Sequence, residues 1–413
     1  MAASPPPGVL RALPPDARRL FAVRLVRLFA YGFLAVVLAL YLAEAGLSLA
    51  AIGVLLTLTL VGDTAVSLWL TTSADRFGRR HTLLVGAALM VAAGAVFALT
   101  RNFAVLLVAA TIGVISPSGN EVGPFIAIEQ AALSQTVGES VRTRVFAWYN
   151  LAGSIATALG SLAGGGLAGV LQHHGASALA SYRAVVLGYA ALGAVLALLL
   201  TMLSPAVEPE VTRDTYREGR FGLHRSRGVV FSLAGLFALD AFGGGLVVQS
   251  IVAYWFHLRF GVEPATLGGI FFGANILAGA SALAAARIAD RIGLINTMVL
   301  THIPSNLLLI LVPLMPTLPL AIAVLLMRFS ISQMDVPTRQ AYTMGAVEPD
   351  ERSAAAGITG VARTTGAALA PAVAAPLLAN PMLMGMPFIL GGSLKIVYDV
   401  LLFIRFRAVR SRR

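Results

Sequence analysis

A small set of charged residues stands inside long apolar runs, where charge is costly and marks function by default. Asp63, Glu121, Asp240 and Asp335 are candidates for carrying a proton or meeting a substrate, because a carboxylate removed from water can cycle between protonated and ionised forms. An aspartate there can also simply bond to a nearby backbone group or hydroxyl. Asp63 lies 12 residues before Asp75, which is about 18 Å of helix, and Asp240 lies 13 residues beyond Arg227. Both therefore fall near mid-depth. Arg328 is placed to neutralise Asp335 or to meet an anionic substrate, and Arg363 to face a cavity or an acidic neighbour. Arg24 is expected near the interface, where it snorkels. Lys395 and Asp399, spaced i, i+4, are expected to pair with each other.

The helices that must hold these groups follow from composition. The 413 residues are 58% apolar and only 12% charged, about half the charge of an average soluble protein. At about 20 residues per crossing, that supplies about 12 spans. A soluble enzyme and a disordered chain are both excluded. Apolar stretches fall near 20–43, 49–72, 82–100, 104–130, 144–171 and 183–203, then 229–256, 264–287, 295–315, 318–341, 352–377 and 385–406. The reading is an all-α polytopic membrane protein with 12 transmembrane helices. It divides into an arm at 1–19, a six-helix bundle at 20–204, a linker at 205–228, a second six-helix bundle at 229–406 and a basic tail at 407–413.

The net charge of +11 comes from arginines in short stretches between the spans. This is the signature of cytoplasmic loops, not of a nucleic-acid groove. Arg76, Arg79, Arg80, Arg142, Arg144, Arg287 and Arg291 fall on one side with both termini, so both termini are expected in the cytoplasm. Cysteine is absent, so disulfides and thiolate chemistry are absent too. There is no Walker loop, and no metal or cofactor is expected.

Two internal correspondences organise the chain. Residues 46–53, GLSLAAIG, align without a gap on 261–268, GVEPATLG. The same shift of 215 places Ala74-Asp75-Arg76-Phe77-Gly78 on Ala289-Asp290-Arg291-Ile292-Gly293. Each copy contains an even number of spans, so the repeats are parallel, as in one large class of secondary transporter. Span four is interrupted by Pro117, Gly119, Gly123 and Pro124, which frees backbone groups that only a cavity or other protein can accommodate. Its Glu121-Val122 and Glu129-Gln130-Ala131 parallel Asp335-Val336 and Arg339-Gln340-Ala341 of span ten.

The segment Thr71 to Arg80, TTSADRFGRR, resembles the signature loop of the major facilitator superfamily, roughly G-x-L-a-D-R-x-G-R-[RK]. Thr71 replaces the first Gly, and the second copy keeps Asp290, Arg291 and Gly293 but loses the following basic pair. The resemblance implies that Asp75, Arg76, Gly78, Arg79 and Arg80 brace the outward-facing state and loosen when the cytoplasmic side opens. It also places spans four and ten across a central cavity, so that Glu129 and Arg339, of opposite sign, become a candidate cytoplasmic gate pair. Span five carries Gly153, Gly160, Gly164, Gly165 and Gly166 and is similar to the fifth span of drug:proton antiporters, without their G-P step. Close helix packing also accounts for such a run.

The expectation is a monomeric, proton-coupled carrier of a small organic solute in the plasma membrane, working by alternating access. Export is favoured over import. The alternatives are a symporter or uniporter for an anionic metabolite, using Arg328, Arg339 and Arg363, and a transporter-like sensor without flux. The expected partners are the substrate, protons and the lipid bilayer, with no nucleic acid.

Overall fold

The computed structural model describes residues 13–208, 225–348 and 351–406, and for Asp75, Arg76 and residues 72, 73, 139, 140, 143, 286 and 353 the backbone alone. The arm up to residue 12, most of the linker and the basic tail lie outside the described residues. Helices α1 (Pro15–Ala35) and α2 (Leu38–Glu44) form one bent element, followed by α3 (Leu49–Phe77) and α4 (Arg79–Leu99). The arm expected to end at residue 19 therefore gives way to helix at Pro15. Next come α5 (Phe103–Ile112), α6 (Phe125–Thr136), α7 (Glu139–His173) and α8 (Ala178–Thr201). The second half holds α9 (Arg227–Gly245), α10 (Gln249–Phe260), α11 (Pro264–Ile292) and α12 (Leu294–Leu311). It ends with α13 (Leu318–Phe329), α14 (Asp335–Gly345), α15 (Arg352–Leu378) and α16 (Met386–Phe406).

Among the described residues nine helices are long and apolar enough to cross a membrane, or ten with the bent pair α1–α2 counted as one. Two of the twelve expected segments are broken helices, the fourth where its prolines and glycines led one to expect an interruption and the tenth where nothing did. The fourth segment is split into α5 and α6, and the tenth into α13 and α14, so no piece of either reaches spanning length alone. The break at 113–124 follows from its prolines and glycines. The one at 330–334 carries no such signal in the sequence, and Pro337 sits just inside α14, where a missing N–H costs least.

Local chemistry sets the helix ends. Ser48, Asn102 and Ser177 accept backbone N–H groups at the starts of α3, α5 and α8, which satisfies donors that have no partner within the helix. Gly78 and Gly293 link α3 to α4 and α11 to α12 at φ of 91° and 85°, a region that side-chain-bearing residues disfavour. The repeat is reproduced in the elements: α3 and α11 are each 29 residues long and stand one sequence shift apart at both ends.

The two bundles meet along two antiparallel seams, α7 with α11 and α3 with α15. Small residues line both, because lipid tails offer no hydrophobic gain and close approach must supply the attraction. A Cβ on Gly165 would collide with the Pro264 carbonyl oxygen, and one on Gly53 would come within 2.7 Å of the Pro371 carbonyl oxygen. Gly160 and Gly164 pack the same way on Phe29 and Phe33 of α1. The glycine run of the fifth span therefore serves packing on two sides.

Candidate functional site

The broken fourth segment is repaired by side chains from its neighbours. Gly123 N–H donates to Asp63 at 2.5 Å, and Asp63 also accepts from Ser67 at 3.3 Å. Tyr31 O–H donates to the Val122 carbonyl at 3.1 Å, and Tyr189 O–H to the Val114 carbonyl. Across the interface, Ser250 N–H at the start of α10 donates to the Pro117 carbonyl at 3.1 Å. Gln249 Nε2 donates to Ser161 Oγ at 3.1 Å, and Gln249 Oε1 accepts from Asn275 Nδ2 at 3.3 Å. The break between α9 and α10 thus docks against the break between α5 and α6, and Asp63 is employed in holding the latter's backbone.

Behind this junction each bundle contains a charged cluster. In the N-terminal bundle Arg27, fully buried, donates to Glu129 at 2.6 Å and also bonds Glu121. Tyr149 O–H donates to the same Glu129. Arg24 does not snorkel. It is buried, in ion-pair contact with Glu121 at 2.6 Å though out of line for a hydrogen bond, with its guanidinium 4.3 Å from the Tyr149 ring centre. Two arginines and two glutamates so balance one another.

In the C-terminal bundle Arg339 Nη1 donates to Asp335 at 2.8 Å and to Asp240 at 3.1 Å. Lys395 Nζ donates to the other oxygen of Asp240 at 2.5 Å. Its stem passes Gly243, where a Cβ would stand 2.8 Å from Lys395 Cγ. The expected Lys395–Asp399 pair is therefore not the one formed: Asp399 is held instead by His302 Nδ1 at 2.9 Å and by Asn306 Nδ2 at 3.3 Å. Residues one helical turn apart share a face, but α9 and α12 bring competing partners nearer to each.

The candidate gate pair is not in contact in this structure. Glu129 is bound to Arg27 and Tyr149, and Arg339 to Asp240 and Asp335, so each is satisfied inside its own bundle. The opposite signs reflect an inversion between the halves. In the first the leading helix carries the arginines and the broken segment the glutamates, and in the second the leading helix carries Asp240 and the broken segment Arg339. Sequence reasoning missed Arg27, one turn beyond Arg24, and His302. The available signal was simply their position inside apolar runs. Arg328 and Arg363 join neither cluster by direct contact, though Asp240 and Asp335 act on both electrostatically.

At the signature loop, the backbone N–H groups of Arg79 and Arg80 donate to the Glu208 carboxylate at 2.6 and 3.1 Å. The Arg79 side chain reaches Gln135 at 2.7 Å, and Arg80 the Thr201 carbonyl at 2.5 Å. An acidic group on the two leading amides of α4 also complements the helix dipole. Glu208→Ala is expected to lower stability by about 1–2 kcal/mol, read as a drop in the thermal unfolding midpoint. Glu208→Gln, which keeps an acceptor oxygen but not the charge, should fall by less, and an unchanged midpoint for Glu208→Ala would show that the carboxylate does not cap the helix. In the second copy Asp290, Arg291 and Gly293 are exposed.

Two helical bundles of matching design, each with a cluster of paired buried charges around a broken segment, define a multi-pass membrane protein of transporter architecture. The chain belongs to the Major Facilitator Superfamily, whose family profile matches residues 20–371. It is 30% identical over 427 residues to the uncharacterized membrane protein YJR124C of Saccharomyces cerevisiae, covering 96% of this chain and 95% of the yeast protein. Its fold is similar to that of the nucleoside transporter NupG (D323A mutant), at a TM-score of 0.72 and 12% identity, over 94% of this chain and 99% of that one. It is equally similar, at a TM-score of 0.72 and 16% identity, to a bacterial homolog of the human lysosomal transporter Spinster in an inward-facing, occupied conformation. That match covers 95% of this chain and 96% of the other. The family is one of transporters rather than enzymes, and secondary transport of a solute is the function its fold supports.

Proposed function

We propose that this protein is a proton-coupled carrier that exports a small organic solute across the plasma membrane, with both termini and the linker in the cytoplasm. The observation that carries alternating access is where the bundles touch. The inter-bundle bonds and most close approaches among the described residues lie in the half of the molecule away from the linker: Gly53 and Thr57 with Pro371 and Ala372, Gly165 with Pro264, and Gln249 with Ser161, while Gly279 meets Ser154 near mid-depth. With the linker cytoplasmic, this geometry corresponds to a state shut on the outside. The Glu208-anchored loop then sits on the side that must close next.

Proton coupling is supported by His302, which stands between two carboxylates. Its Nδ1 is 2.9 Å from Asp399 and its Nε2 is 3.8 Å from Asp240. His302 thus bridges the two carboxylates, and Lys395 and Arg339 share Asp240 with it. Asp335, Glu121 and Asp63 remain further candidates along the path. The antiporter-like glycines of α7 favour export.

The test is solute uptake into proteoliposomes under an imposed pH gradient, with solute counterflow as the measure of exchange without net proton movement. His302→Asn and Asp399→Asn are expected to abolish gradient-driven accumulation and spare counterflow. Loss of neither would end the proton assignment, and ligand binding without flux under any gradient would make the protein a sensor. The outside seam gives a second check. Gly165→Leu should force α7 from α11 and lower transport by about tenfold or more, since close helix approach is what holds such seams together. A single cysteine at Ala372, in this cysteine-free chain, should become more reactive to an impermeant thiol reagent from outside. Unchanged labelling would mean the seam does not open there.

A further inference from the structure

The charges of the two bundles balance differently. In the N-terminal bundle both intramembrane arginines, Arg24 and Arg27, are matched by Glu121 and Glu129. In the C-terminal bundle Asp240 and Asp335 are taken by Lys395 and Arg339, and Asp399 by His302. This leaves Arg328 and Arg363. Among the described residues neither guanidinium has an ion-pair partner, and the Nε atom of each is buried with no hydrogen-bond partner. A guanidinium at mid-depth in a bilayer is expensive without a counter-charge.

The two arginines stand on neighbouring segments of the C-terminal bundle, on α13 and α15. Arg363 lies 11 residues into the 27-residue α15. Along that helix the exposed positions 357, 361, 365, 369 and 373 recur every four residues and mark one face, so Arg363, two residues from 361 and from 365, points to the opposite, inner face. Arg328 closes α13 at the break of the tenth segment, with its guanidinium 4.9 Å from the Phe329 ring centre. Both arginines are within electrostatic reach of Asp240 and Asp335, and Arg363 also of Arg339, which repels it.

We infer that Arg328 and Arg363 form an anion subsite, and that the transported solute is a small organic anion whose carboxylate or phosphate oxygens meet these guanidinium forks. A planar five-donor fork matches either group bidentately, which an ammonium cannot do. Asp240 and Asp335, already saturated by Arg339 and Lys395, leave the two forks free for the ligand. This inference rests on the carrier reading for the word "transported" but not for binding.

The experiment uses the full chain in detergent, with thermal unfolding and calorimetry against sodium succinate, sodium benzoate and sodium phosphate. Glucose and tetraethylammonium chloride are the neutral and cationic controls. At least one anion is expected to raise the midpoint of the wild-type protein. Arg328→Gln and Arg363→Gln should each weaken its binding by about tenfold or more. Arg328→Lys and Arg363→Lys keep the charge and guard against misfolding, and they should recover only part of the affinity. The inference is overturned if no anion binds, if binding survives both Gln substitutions, or if the neutral or cationic control binds instead. It is also overturned if Asp63→Asn rescues Arg363→Gln, because the counter-charge would then be Asp63 across the α3–α15 seam. Arginine-dependent binding without counterflow would remove the carrier reading and leave the subsite. Counterflow of glucose unaffected by either Gln substitution would do the reverse.

Discussion

Exchanging Glu129→Arg together with Arg339→Glu is expected to give a protein no more stable than either single variant. Glu129 is fully buried and bonded to Arg27 and Tyr149, while Arg339 is buried on Asp240 and Asp335. Each single change puts like charges together in a dry site and strands the former partner, at a cost of about 3–5 kcal/mol. The two sites share no partner, so their losses should add rather than cancel. Within the N-terminal bundle the outcome should differ. Arg27→Gln leaves Glu129 and part of Glu121 unopposed, and a second change, Glu129→Gln, should restore some of the loss. Thermal unfolding of the purified protein reads all of these. Recovery in the Glu129→Arg, Arg339→Glu double variant would mean that the pair meets across the bundles in a state of comparable population.

The second large effect is expected at Asp240. Its two oxygens hold Lys395 at 2.5 Å and Arg339 at 3.1 Å. Asp240→Asn should lower stability by about 3–5 kcal/mol, because it leaves a buried ammonium without its counter-charge. Adding Lys395→Met should recover part of this, with a coupling of about 1–3 kcal/mol as for residues in one network. The control is Asp399→Asn with Lys395→Met. If Lys395 belonged to Asp399, as helical spacing suggests, this second pair would show the coupling and the first would not. A cycle at each pair separates the two arrangements.

Much of the fold is legible in the sequence, because the bilayer makes apolar length nearly sufficient. Every apolar stretch is a helix or a pair of helices at its expected place, and the repeat shift reproduces α3 and α11 to the residue. The break of the tenth segment is not legible, since 330–334 has no proline or glycine to announce it. The intramembrane charges were also visible as a set. Spacing along one helix pairs Lys395 with Asp399, and equivalence between halves pairs Glu129 with Arg339, yet both readings use only one dimension of the molecule.

Partners were therefore what tertiary structure decided. A buried ion takes the nearest opposite charge that geometry allows, because in a low dielectric a gap of even a few ångströms is costly. Those distances are set by how α1, α6 and α7 pack in one bundle and α9, α12, α14 and α16 in the other. The sequence by itself determined a membrane-embedded pair of six-segment halves and the residues that carry charge inside them, since hydrophobic length and the expense of intramembrane charge act locally. Only the packed bundles decided that Arg24, Arg27, Glu121 and Glu129 cancel, and that Asp63 secures a backbone amide. They also decided that Arg328 and Arg363 are left over, because neutrality belongs to the enclosed cluster and not to any one helix.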